Sequence, residues 1–116
     1  MPYPESHQDL FEKTYPFYLS TVDAAGHPRI APIWCALDGN DLLLIIERGS
    51  ASESSVRQNH RVSILTYDRG NPLHNMEIRG EIIEIGKDDD SLPKQMREID
   101  NTICVRMAPT RIRVEG

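Results

Sequence analysis

The residues best equipped for chemistry are gathered in Arg48-Gly49-Ser50-Ala51-Ser52-Glu53-Ser54-Ser55-Val56-Arg57, where a predicted strand gives way to a predicted helix. Free amides at a helix N-terminus attract anions. The hydroxyls of Ser50 and Ser52 and the guanidinium groups of Arg48 and Arg57 would complete a phosphate cradle there. The same letters also spell a capping box. In Ser50-Ala51-Ser52-Glu53, Glu53 can fold back onto the Ser50 amide and satisfy the helix end internally, and its charge would repel a phosphate. Both readings stand at this level. A second unusual residue is Pro32, inside a predicted strand. Proline donates nothing to a ladder, so this position belongs at an edge or a bulge. Main-chain groups around Ala31 and Ile33 would then be open to a ligand. Trp34, the sole tryptophan, has a large ring that suits a core or an interface better than stacking on a ligand.

Other chemistries lack a pattern. His7, His27, His60 and His74 have no metal-ligand spacing and read as solvated side chains. Cys35 and Cys104 stand in no Cys-x-x-Cys pair and read as core thiols, not as a disulfide or zinc ligands. No serine lies in Gly-x-Ser-x-Gly. Asp88-Asp89-Asp90 lacks the alternating ligands and distal Glu of a calcium loop and reads as a solvated run. The glycines have neither P-loop nor dinucleotide spacing. No metal site and no catalytic side chain is assigned.

The elements that must position these residues are mostly strands. Ser6–Lys13 reads as a short helix ended by Tyr15 and Pro16. Phe17–Asp23 is rich in aromatic and β-branched residues and predicts strand one. A turn over residues 24–28 leads to strand two, Arg29–Leu37. Asp38-Gly39-Asn40 is a hairpin signal, so Asp41–Glu47 returns antiparallel as strand three. Its continuous apolar run, Leu42–Ile46, predicts burial on both faces. A short helix over Ser50–Gln58 and strand four, Arg61–Asp68, follow. Arg69-Gly70-Asn71-Pro72 is a turn. Strand five, from about Asn75 to Ile85, places Met76, Ile78, Gly80 and Ile82 on one face. Two adjacent isoleucines after Gly80 then predict a bulge or corner. Ser91–Asp100 is a further helix. Thr102–Met107 and Thr110–Val114 form a closing strand pair interrupted by Pro109.

Six antiparallel strands with inserted helices argue against a Rossmann sheet. They favour a mainly β chain, a single domain over residues 1–116 folded as a small closed β-barrel with short inserted helices. The chain has 116 residues, with 13 Lys and Arg against 18 Asp and Glu, a net charge of −5. That balance disfavours nucleic acid. No apolar run is long enough to cross a bilayer and no signal peptide is evident, so no membrane partner and a cytoplasmic location are expected.

The run Phe17 to Trp34, with Gly26, Arg29 and Pro32 in place, followed by Asp38-Gly39, resembles the pyridoxamine 5′-phosphate oxidase-like split-barrel flavoproteins. Glu47-Arg48-Gly49, Arg57, Arg61-Val62-Ser63-Ile64, Asp68, Asn71-Pro72, Glu77-Ile78-Arg79-Gly80 and Ala108-Pro109-Thr110-Arg111 resemble later landmarks of that family in order. The likeness is greatest to its short deazaflavin-dependent branch. The resemblance implies a six-stranded antiparallel split barrel, a homodimer, F420 or FMN as cofactor, and hydride transfer to or from a small-molecule substrate. It implies that Arg29, Ala31, Pro32, Ile33 and Trp34 approach the ring and chain of the cofactor. Glu47, Arg48, Gly49, Ser50, Ser52 and Arg57 would then surround its phosphate. The family commonly has Lys where Ser52 stands and Asn where Ser55 stands. The alternative for the same fold is a non-catalytic dimer that carries a flavin, haem or other planar ligand.

Overall fold

A computed structural model describes residues 2–12, 16–86 and 99–116. Lys13, the charged run 87–90 and all but the last two residues of the helix expected over 91–100 lie outside them. A 3-10 turn (Glu5–His7) and one turn of helix α1 (Asp9–Glu12) precede strands β1 (Phe17–Val22), β2 (Pro28–Asp38) and β3 (Asp41–Glu47). Helix α2 (Ala51–Gln58), β4 (Arg61–Asp68), β5 (Asn71–Ile85) and β6 (Thr102–Glu115) complete the order. The strands close into an antiparallel barrel, β1-β2-β3-β6-β5-β4.

Alternation puts the large side chains inside. Leu19, Leu42, Leu44, Ile46, Ile64, Met76, Ile78, Val105 and Met107 are fully buried in one core. Leu43 and Ile45 point the other way and are buried with Ile99 and Cys104, so β3 is covered on both faces, as its unbroken apolar run requires. Arg106 fastens the outer side of this region. Its guanidinium meets Asp38 at 2.7 Å, Asp41 at 3.1 Å and Glu84 at 3.6 Å, joining the β2–β3 hairpin to β5.

Two strand readings are corrected. β5 starts at Asn71, not near Asn75, because the Asp68 carboxylate accepts the Gly70 amide at 2.8 Å and confines the turn to Arg69-Gly70. The closing pair is one continuous strand, since Pro109 lies opposite Gly80 where the β5–β6 register shifts. At such an irregularity a missing donor leaves the ladder intact on either side. A second shift follows between Ile82 and Glu84, just past the buried Ile82 and the exposed Ile83, the corner anticipated at this point. Gly80 makes it possible. A Cβ there would run into the Ala108 carbonyl and the Met107 methyl.

The N-terminal segment seals part of the barrel. Tyr3 and Leu10 are buried, each worth roughly 1.5–3 kcal/mol of apolar burial, and the Tyr3 hydroxyl donates to the Asn40 carbonyl at 2.8 Å. Two histidines expected in solvent belong to this seal. The His7 ring, buried, stacks on His74 at 4.2 Å. Its Nε2 donates to the Glu115 carbonyl at 2.7 Å while the Ser6 hydroxyl meets Nδ1 at 2.8 Å. His74 has acceptors on both nitrogens, the Asp9 carboxylate at 3.0 Å and the Gly116 main-chain oxygen at 3.1 Å. Periodicity could not show this, because the two rings meet only when the Glu5–His7 turn packs against β5.

The Asp9 hydrogen bond, with that to Gly116, raises the His74 pKa above its usual range. A raised folded-state value stabilises the fold fully below the unfolded pKa of about 6.5 and progressively less as pH climbs through the folded value. The urea midpoint should therefore fall as pH rises from about 6 to above the raised pKa of His74. His74→Asn should flatten that slope, as read by urea titrations at several pH values. Gly80→Ala should cost about 1–3 kcal/mol, read as a lower thermal midpoint.

Candidate functional site

β2 changes partner along its length. Pro28–Ile33 pairs with β1, opposite Val22 to Phe17, and Trp34–Asp38 pairs with β3, opposite Ile45 to Asp41. Continuing the β2–β3 register would bring Pro32 opposite Glu47, but the pairing stops at Trp34. The reason is chemical. Pro32 has no N–H to give, and proline fits a strand only with its nitrogen turned away from the ladder it keeps. β2 and β3 therefore splay apart, and β3 runs into the turn that opens α2. The expectation of an edge at Pro32 holds. One detail changes, because main-chain groups alternate along a strand. With the Pro32 nitrogen turned from β1, those of Ala31 and Ile33 face β1. The Ile30 groups and the Pro32 carbonyl face the open side.

Side chains alternate too, and this divides the expected ring-binding set. Ile33 packs into the core, and Ala31 and Arg29 share its side of the strand. Pro32 and Trp34 point outward with Ile30; Trp34 is 50% exposed and Ile30 74%. Pro32, Ile33 and Trp34 line a concavity of about 330 Å³ with Pro16 and Arg69. The last two were not anticipated. Pro16 precedes β1 and Arg69 sits in the β4–β5 turn, and only barrel closure brings them to β2. Next to this concavity the outer face continues as Tyr18, opposite both Pro32 and Leu65, with Tyr18 stacked on Tyr67 at 5.9 Å. Arg29 goes elsewhere. It lines a second concavity of about 370 Å³ with Asp23 and the α2 residues Ala51, Ser54, Ser55 and Gln58.

At the entrance to α2 the capping contacts form. Ser50 is the N-cap, its hydroxyl accepting the Glu53 amide at 3.2 Å. Glu53 caps as foreseen, but on a different amide. The Ser50 amide already donates to the Glu47 carbonyl at 3.3 Å, so Glu53 Oε1 takes the Gly49 amide instead, at 2.7 Å. Gly49 has φ +79°, the left-handed conformation that glycine adopts without strain. Glu53 Oε2 accepts from Arg57 Nε at 2.9 Å. These contacts, the Gly49 amide foremost, lower the Glu53 pKa and keep it ionised. Arg48 donates to the Thr102 carbonyl at 3.2 Å. Glu47 is exposed at the end of β3, and Ser52 is buried on the underside of the helix with Ser55 and Val56. Cys35 packs against the core, where burial raises its thiol pKa. Among the described residues no three His, Cys, Asp or Glu side chains gather as a metal site.

A closed six-stranded barrel whose second strand splays from the third at a proline, with an outward tryptophan beside the gap, defines a split-barrel protein. The chain belongs to the pyridoxamine 5′-phosphate oxidase family, whose sequence profile matches residues 3–114. Solved structures share the fold at low identity. An F420 reductase superposes with a TM-score of 0.77 at 21% identity, over 96% of this chain and 98% of that one. HupZ from Group A Streptococcus gives 0.79 at 19%, over 98% of both chains. HutZ, the haem storage protein of Vibrio cholerae, gives 0.77 at 15%, over 100% of this chain and 96% of that one. No curated protein matches the sequence.

Against a flavin-type cofactor the two halves of the region behave differently. The Pro32–Trp34 concavity, apolar with one guanidinium at its rim, fits the face of a flat ring. The α2 entrance does not fit a phosphate, because a carboxylate already holds the Gly49 amide and the Arg57 Nε. Ser50→Ala should cost about 1 kcal/mol of folding stability by removing the N-cap, measured by chemical denaturation.

Proposed function

We propose that the chain acts as a cytoplasmic homodimer that binds a flat conjugated ligand of the flavin class, F420 or FMN, against the Pro32–Trp34 segment. It serves as an oxidoreductase acting on a small molecule. The ring of such a ligand supplies hydride chemistry that no side chain can supply. The observation that carries this reading is the exposed Trp34 over an apolar concavity beside an unpaired stretch of β2. The homodimer is supported by the apolar outer face formed by Ile30, Pro32, Trp34, Tyr18 and Leu65, since clustered apolar exposure is a feature of interaction surfaces. The F420 reductase with the same fold is in keeping with it. A second reading is a non-catalytic carrier of a planar ligand such as haem, favoured by one observation, the occupied α2 entrance.

The test is the visible spectrum and native mass of the purified protein with added FMN or F420. A mass of two chains and a shifted or quenched ligand spectrum are expected. Unchanged spectra at high micromolar protein overturn the reading. Trp34→Ala should remove most of the spectral change while altering folding stability by less than about 1 kcal/mol.

A further inference from the structure

Resting on the flat-ligand reading above, we propose that Glu53 is the resident anion of the α2 entrance, so that this protein recognises the ring of its ligand and gives no preference to a phosphate on its tail. Several donors that the sequence offers for a phosphate are engaged within the chain. The Gly49 amide and Arg57 Nε converge on the two Glu53 oxygens at 2.7 and 2.9 Å. Arg48 is turned to the Thr102 carbonyl. The Ser50 hydroxyl is held by the Glu53 amide, and Ser52 is buried. A second anion entering here would meet a carboxylate already seated on these donors and would have to displace it from both. Gly49 favours this arrangement, since glycine adopts its left-handed φ without strain while its amide reaches Glu53. Selectivity therefore resides at the Pro32–Trp34 concavity, and ligands that differ only in the charge of their tail are treated alike.

The experiment compares FMN with riboflavin, which has the same ring and no phosphate, by fluorescence titration against the full chain. Wild type should bind the two within about threefold of each other. Glu53→Ala should shift the ratio toward FMN by about tenfold or more. Glu53→Gln, which keeps an acceptor for Gly49 but removes the charge, should shift it the same way by less, and serves if the alanine variant does not fold. A wild-type preference for FMN of more than about threefold, or a ratio unmoved in both variants, overturns the proposal. A parallel titration with inorganic phosphate, followed by the Gly49 and Glu53 amide resonances, reads the α2 entrance without any ring. Those resonances should stay still in wild type at millimolar phosphate and move in the variants. Movement in wild type, or none in either variant, overturns the role of Glu53. Failure of both flavins to bind overturns the flat-ligand reading instead and leaves the phosphate titration to decide.

Discussion

A single missing hydrogen-bond donor shapes this molecule. Pro32 cannot extend the β2–β3 ladder beyond the Trp34–Ile45 pair, so the two strands part while β1 keeps its hold on the same stretch of β2. Three consequences follow from the parting. β3 is released into the Glu47–Ser50 turn that starts α2. The main-chain groups of Ile30 and Pro32 are left without a strand partner on one side. Trp34, the last residue to pair with β3, is stationed with its ring outward at the lip of the gap. A fully laddered barrel would have hidden that edge, as closed barrels do, and would offer a ligand only smooth outer faces.

The rest of the fold keeps this defect from spreading. The core is filled by alternate residues from all six strands, and the second covered face of β3 holds that strand in place where it leaves β2. Arg106, with three carboxylates around it, ties the hairpin below the gap to β5. Exposed ion pairs contribute little, but this guanidinium is largely covered and its partners come from three elements. The β5–β6 register shifts at Gly80 and Pro109, on the other strands and not at the site.

Much of this was legible in the sequence because it rests on local rules. The bounds of β3 and β4 follow from apolar runs between strong turn signals, and the edge at Pro32 and the bulge after Gly80 follow from what those residues cannot do. The capping box was legible as well. Which amide Glu53 would take was not, since that depends on the Glu47–Ser50 turn having already used the Ser50 amide. The continuous β6 was missed because Pro109 looks like a break until Gly80 is seen opposite it. The His7–His74 stack and the arrival of Pro16 and Arg69 beside Trp34 depend on contacts between residues far apart in the chain, for which a single sequence has no periodic signal. Side-chain alternation along β2 separates Arg29 from Trp34, and no short motif could show that the two line different concavities.

The account turns on the open side of β2 being the place where a flat ligand lies. Amide hydrogen exchange across residues 29–34, followed with and without FMN, addresses it most directly. The Ile30 amide should exchange more slowly with ligand than without it, while amides in β5 stay as they were. Ligand-bound protein in which residues 29–34 exchange at their original rates would contradict the account.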